Sequence, residues 1–168
     1  FISGSGTYVE EGSIFSKVVG RMLLDWVDKK VSIYPLARSV IAPRVGNTVI
    51  GKATNVQDST AQIRMFLIGT EHLSGFFSGI LHVSDASFRY VDSMFDICRR
   101  GDIVRAKVIS DKNGTYHLST KGDNLGVILA FCSSCGSLLT RKRAKIVCEV
   151  CGNGEKRHAA LDYGEGAI

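Results

Sequence analysis

The chain has 168 residues, 45% of them hydrophobic and 22% charged, with a formal charge of +5 at pH 7. This composition excludes a disordered polypeptide and leaves room for one ordinary domain or a few small ones. The basic excess is spread along the chain, which is compatible with nucleic acid without requiring it.

No apolar run approaches the roughly 18 residues of a membrane span. The opening residues Phe1 to Gly6 show neither the basic nor the long apolar region of a signal peptide. The expectation is a cytoplasmic protein without a membrane partner. Glycine is frequent at 18 and proline scarce at 2. Short β-branched runs between the glycines read as turn-rich all-β structure.

Three segments follow in chain order. Residues 1–42 alternate apolar and polar positions between glycines and predict a small N-terminal β domain of three or four strands, a half-barrel that needs a neighbour. Arg21–Val27 and Lys30–Pro35 pair as strands there, with Asp28-Lys29 as the hairpin turn. Residues 43–124 carry strand patterns at Thr48–Val56, Ala61–Ile68, Gly79–Val83, Asp102–Ile109 and Tyr116–Ser119, with Gly69–Ser78 irregular. A helical turn is expected between Ser84 and Phe95, capped by Ser84 or Asp85. Asp111-Lys112-Asn113-Gly114 is a strong hairpin turn. Five short strands with a helical turn between the third and fourth fit the five-stranded Greek-key barrel, the OB fold.

Residues 125–168 hold a zinc-ribbon pattern. Cys132-Ser133-Ser134-Cys135 and Cys148-Glu149-Val150-Cys151 are separated by 12 residues, enough for a β-hairpin with Leu138–Thr140 leading out and Lys145–Val147 leading back. Zinc takes four thiolates in a tetrahedron, and Gly136 and Gly152 stand where a knuckle turns with positive φ. Four cysteines leave no open position, so the zinc is expected to be structural and single. Cys98 reads as a small core residue. Arg141-Lys142-Arg143-Ala144-Lys145 places four cations at the hairpin tip, either a phosphate-binding surface or a solvated turn. The tail is expected to fray beyond Tyr163.

No catalytic residues stand out. The acidic residues are scattered singly rather than clustered as a two-metal nuclease needs. Asp92 and Asp96 are expected to pair with Arg99 and Arg100 at the surface. No phosphate-binding Gly-rich loop or nucleophile motif occurs. For single-stranded RNA, aromatic faces would stack bases while Arg and Lys track phosphates. The candidates are Arg64, His82, Phe88, Arg89, Arg105, Lys107 and Lys112, with Phe66 more in keeping with the core. Arg105 and Lys107 share a strand face.

The blocks Gly79-Ile80-Leu81-His82-Val83-Ser84 and Gly101-Asp102-Ile103-Val104-Arg105-Ala106-Lys107-Val108 resemble the RNA-binding OB domain named after ribosomal protein S-one. With a short Gly-rich β segment before it and a four-cysteine ribbon after it, the chain is similar to the Csl-type cap subunits of the archaeal RNA exosome. The resemblance implies a non-catalytic cap protein, three copies of which sit on the ring of a phosphorolytic 3'-5' exoribonuclease. It also implies a second kind of cap subunit and a primase-type DnaG protein as partners. In the wider family an aromatic pair, a His, an Asp and an Arg form the RNA face. Here His82 and Asp111 match, Phe76 and Phe77 lie near the aromatic positions, and the Arg position falls on Thr115. The competing reading is an OB-fold and zinc-ribbon factor of transcription or translation.

Overall fold

The structure, a computed structural model, describes residues 1–36, 40–142 and 145–165. Contacts divide the chain into Phe1–Val40 and Ile41–Ile168. The barrel and ribbon segments lie together in the second unit.

The first unit holds β1 (Ile2–Ser3), β2 (Thr7–Glu10), β3 (Ser13–Ser16), β4 (Gly20–Asp25) and β5 (Lys30–Pro35). They form a β2–β3 hairpin and a sheet in the order β1-β5-β4. The β4–β5 turn opens earlier than Asp28-Lys29. The Asp25 carboxylate accepts the N–H groups of Val27 and Asp28 at 2.9 and 3.1 Å. That Asx turn takes Trp26 and Val27 out of the strand. Among the described residues of this unit Thr7 alone is buried. Val19, Met22, Leu23, Trp26 and Val27 are exposed, so the described residues of the unit form strands without an apolar core.

The second unit is built on β6 (Thr48–Val56), β7 (Thr60–Ile68), β8 (Glu71–His82), β9 (Ile103–Ser110) and β10 (Tyr116–Ser119). The order β10-β8-β7-β6-β9 closes through β9–β10 pairing, and β8 runs parallel to β10. This is the five-stranded OB barrel. Alternation along β7 sends Ala61, Ile63, Met65 and Leu67 inward and leaves Gln62 and Arg64 exposed. Gly51 lets β6 cross β7 closely at a bulge; a Cβ there would lie 2.6 Å from the Arg64 carbonyl oxygen. A further strand, β11 (Gly126–Leu129), adds to β9 outside the closed ring.

Two local expectations change. Gly69–Ser78 is mostly strand: β8 starts at Glu71 and pairs back through Leu67↔His72 and Met65↔Phe77. The register shift between Met65 and Leu67 hides its alternation. The expected helical turn is two short 3-10 turns, Val83–Asp85 and Met94–Asp96. The first is capped by His82, not by Ser84 or Asp85, because β8 holds His82 extended with its Nδ1 accepting the Ser84 N–H at 3.2 Å. The turn after β9 matches its sequence signal, with φ of 58° at Asn113 and 69° at Gly114.

The ribbon consists of β12 (Leu139–Lys142), β13 (Lys145–Cys148) and β14 (Gly154–Glu155). Its Leu139, Ile146, Cys132 and Cys148 join the same buried cluster as Val104 and Leu118 of the barrel. Cys98 is a buried member too, its thiol pushed up to about 12 by burial. The chain is held in place through Tyr163 and Gly164. The Tyr163 side chain is buried, its hydroxyl donates to the Leu139 carbonyl at 2.8 Å, and the Gly164 N–H reaches Ile128 at 3.0 Å. Residues 166–168 lie outside the described residues, as does Arg143 of the basic tip.

A buried ionic bolt joins ribbon to barrel. Arg157 donates from Nε to Asp102 at 2.6 Å and from Nη2 to Glu155 at 2.8 Å. All three side chains are nearly inaccessible, at 0%, 1% and 3%. Burial pushes the Asp102 carboxyl up against the pull of Arg157 and of the Arg99 and Phe131 N–H groups. Burial would also raise Glu155, but the Ser133 N–H and Arg157 hold it down to about 2. Arg99 turns to this network as well, reaching Ser133 at 3.0 Å and Glu155 at 3.3 Å. It therefore does not pair with Asp92 or Asp96, which have no ion-pair partner among the described residues.

Removing one member of a buried pair strands the other charge, at a typical cost of about 3–5 kcal/mol. Arg157→Met should therefore lower the urea midpoint of the second unit, and adding Asp102→Asn should recover part of the loss. A midpoint within the scatter of wild type for Arg157→Met would show that the pair carries no such weight.

Candidate metal centre and nucleic-acid interface

The two knuckles bring the four cysteines together. Gly136 N–H returns to the Cys132 carbonyl at 2.9 Å and Gly152 N–H to the Cys148 carbonyl at 3.0 Å. These tight returns need φ of 74° and 73° at the two glycines, in the left-handed region. The four Sγ atoms lie within 4.8 Å of one another. Cys132–Cys151 and Cys135–Cys148 are 3.6 and 3.4 Å apart, far beyond the about 2.05 Å of a disulfide.

Hydrogen bonds from backbone amides and from the Ser137 hydroxyl prepare the ligands. The Cys135 N–H lowers the Cys132 thiol, and Ser137 brings Cys135 down to about 6. At Cys151 the Asn153 N–H favours the thiolate, but the crowding sulfurs prevail and push the thiol up to about 12. Four sulfurs this close cannot all ionise without a cation among them. The donor set thus fits one thiophilic metal ion with no ligand position left open. Asn153 Nδ2 stands 3.8 Å from Cys132 Sγ and also donates to Glu155, so the knuckle's outer contacts run into the ionic bolt.

The expected RNA residues fall into separate groups. Arg64 lies exposed on β7, paired with Lys52 of β6 and with Ser78 of β8. Its guanidinium sits 4.5 Å over the ring of Phe76, which is 88% exposed. Along the same outer surface, His82 pairs with Thr60, and Ile80 lies between Gln62 and His117. His82 is exposed, with Nδ1 held 2.8 Å from Ser84 Oγ. Asp111 and Lys112 are exposed in the turn leading into β10. Phe88 and Arg89 stand on the loop after the first 3-10 turn, with Phe88 82% exposed.

Lys107 is exposed on β9, but Arg105 of the same strand is committed elsewhere. Its Nη1 meets both carboxylate oxygens of Asp162 at 2.8 and 2.9 Å and the Asn124 carbonyl at 3.1 Å. Phe77 is drawn in against Tyr116, edge to face at 6.0 Å, and Phe66 packs partly buried on a second core cluster. At the ribbon tip Lys142 pairs with Glu149, and Arg141 donates to the Ala160 and Leu161 carbonyls. The sequence reading missed Lys52 and His117. Register across a closed barrel joins them to Arg64 and Ile80, and no local pattern reveals it.

The Csl4 exosome component of Archaeoglobus fulgidus is 34% identical to this chain over 169 residues, covering 99% of this chain and 90% of that protein. The CSL4 exosome component of Mus musculus is 32% identical, covering 78% and 71%. That of Schizosaccharomyces pombe is 30% identical, covering 80% and 75%. No family model matches the chain.

Because ribbon and barrel share one buried cluster, stripping the metal should lower the unfolding midpoint of the whole second unit, not of the ribbon alone. Hydrogen exchange with and without chelator measures this. Loss of protection confined to residues 132–152, with β9 unchanged, would show the two to be uncoupled.

Proposed function

The chain belongs to the Csl4 family of exosome components, and from that premise we propose that it is a non-catalytic cap subunit gathering single-stranded RNA for a phosphorolytic 3'-5' exoribonuclease ring. The observation that carries the RNA half is the Arg64–Phe76 step on the barrel's outer face: an exposed ring backed by a guanidinium 4.5 Å away. Aromatic stacking tolerates any base, and the cation serves the phosphates. Lys52, His82, Lys112 and His117 extend this surface. Lys107 and Asp111 lie beside it, and Arg105 serves as an anchor for the C-terminal tail through Asp162.

The assembly half is supported by the first unit. A small β unit with Trp26, Val27 and Val19 exposed, and a threonine as the one buried residue among those described, gains a core by covering that surface. It docks the chain to the ring. Three copies then surround the pore beside a second kind of cap subunit, and a primase-type DnaG protein is a further partner. In such a ring, weak individual sites add through effective concentration. The protein works in the cytoplasm.

The non-catalytic reading is supported by the cysteine cluster itself, where four ligands leave a metal no open position for chemistry. Among the described residues, three or more His, Cys, Asp or Glu ligand atoms gather at the cysteine cluster and nowhere else. The metal there is one structural zinc per chain. Zinc–sulfur bonds of about 2.3 Å require a tetrahedron edge of about 3.8 Å, close to the 3.4 and 3.6 Å spacings. Zinc would supply a 2+ centre that offsets half the charge of the four thiolates, and Cys132, Cys135, Cys148 and Cys151 would hold it.

Three measurements test this reading. Elemental analysis should find one zinc per chain, lost in Cys148→Ser; a metal-free native chain or another resident metal would contradict it. Arg64→Ala with Lys52→Ala should weaken single-stranded RNA binding and lower the slope of log K against log salt by roughly 0.7 per lost phosphate contact. Phe76→Ala should weaken binding with little change in slope. The purified chain should leave RNA intact with magnesium, manganese or phosphate present; degradation abolished by a point change in this chain would overturn the adaptor role.

A further inference from the structure

A cleft of about 680 Å³ separates the Ser87–Ile97 loop from the ribbon. Its loop wall carries Arg89, Tyr90, Asp92 and Asp96, and its ribbon wall carries Lys145 and Lys156. The floor is electrically closed: Ile97 and Ile146 are apolar, and the charges of the Arg157–Glu155 pair satisfy each other. The width is fixed, because the His158 N–H donates to the Ile97 carbonyl across the floor at 2.9 Å. None of the structural bonds described above uses the side chains of Arg89, Lys145 or Lys156.

The lip of the cleft is aromatic. Tyr90 is 90% exposed and Phe88 stands out beside it. Large exposed rings at the mouth of a rigid groove gain nothing for the fold and offer faces for a ligand. The Phe88–Val91 stretch is a ridge: a second hollow on its other side is lined by Val83, Ser84 and Lys121. Ser84 is hydrogen-bonded to His82. The outer face of the barrel therefore continues past His82, over the aromatic ridge, and into the cleft.

We propose that this cleft is a second single-stranded RNA subsite, in which a base stacks on Tyr90 and the following phosphates run along Lys145 and Lys156. The proposal rests on the RNA-binding reading above and extends it from the barrel face to the ribbon. The volume suits about one or two nucleotides, small-ligand pockets being about 300–1,000 Å³. Three cations without ion-pair partners face two such carboxylates, so phosphate is favoured along the ribbon wall and disfavoured beside Asp92 and Asp96. That asymmetry gives the strand one path through the groove. A basic protein segment drawn by the two carboxylates is the competing occupant, and the two differ in sign.

The test uses the full-length, metal-loaded chain and oligouridylate containing 4-thiouridine. Tyr90 should be a photo-crosslinking site. Tyr90→Ala should weaken binding at least about five-fold, the low end of the stacking range, while Tyr90→Phe keeps it. Lys145→Ala with Lys156→Ala should lower the salt slope. Asp92→Asn with Asp96→Asn should tighten binding by removing repulsion. Metal content and unfolding midpoint equal to wild type show that each variant is folded. If the cleft variants leave affinity and slope unchanged while Arg64→Ala and Phe76→Ala weaken binding, the cleft proposal is overturned and the barrel reading stands. If all of them leave RNA binding unchanged, both fall. If neutralising Asp92 and Asp96 leaves RNA affinity unchanged or weaker, the groove is not the phosphate path proposed.

Discussion

The Asp102–Arg157–Glu155 bolt is the constraint on which the second unit depends. Asp102 ends the loop that feeds β9, the strand that closes the barrel. Glu155 sits in the last ribbon strand and grips Ser133, between the first two cysteines. Arg157 spans the two at 2.6 and 2.8 Å with its charge fully enclosed. A buried ion pair contributes little net stability compared with an apolar replacement, but a half-broken one is costly. The bolt therefore acts on geometry: it gives the ribbon one orientation on the barrel and ties the metal knuckle to the strand that closes the ring. Tyr163, bonded to Ala130 and Leu139, does the same from the other side with a neutral hydroxyl.

A barrel and ribbon locked to each other suit the proposed role of holding RNA without reacting with it. Lys52, Arg64, Phe76 and His82 lie on strands whose opposite faces are packed, so their placement costs little on binding. Arg105 shows the converse. It has the right charge on a barrel strand, yet Asp162 has claimed it for the tail. Charge alone does not mark an RNA contact; a cation without a partner, beside an exposed ring, is the more discriminating sign.

Much of the second unit was legible in the sequence because its signals are local. Thr48–Val56 and Tyr116–Ser119 match their strands to the residue; the first is rich in β-branched residues, and each follows a turn pair, Gly46-Asn47 in one case and Asn113-Gly114 in the other. The two cysteine knuckles follow from spacing and from the glycines behind them. The start of β8 was hidden because a bulge opposite Phe77 breaks the period of two. The His82 cap was hidden because histidine is a rare cap, chosen here by where the strand ends. The bolt was not legible at all. Asp102, Glu155 and Arg157 are distant or unremarkable in sequence, and Asp92, Asp96 and Arg99 made a plausible local group until Arg99 found Glu155. The family resemblance carried the functional reading further than composition could, as a formal charge of +5 distinguishes few functions.

The proposed adaptor role in an RNA-degrading assembly is tested by isolating the native complex through this chain and identifying its components by mass spectrometry. Ring nuclease subunits should be recovered in stoichiometric amounts, with phosphate-dependent RNA degradation residing in the ring and not in this chain. Recovery of the chain with ribosomal or transcription components in place of a nuclease ring would contradict that role.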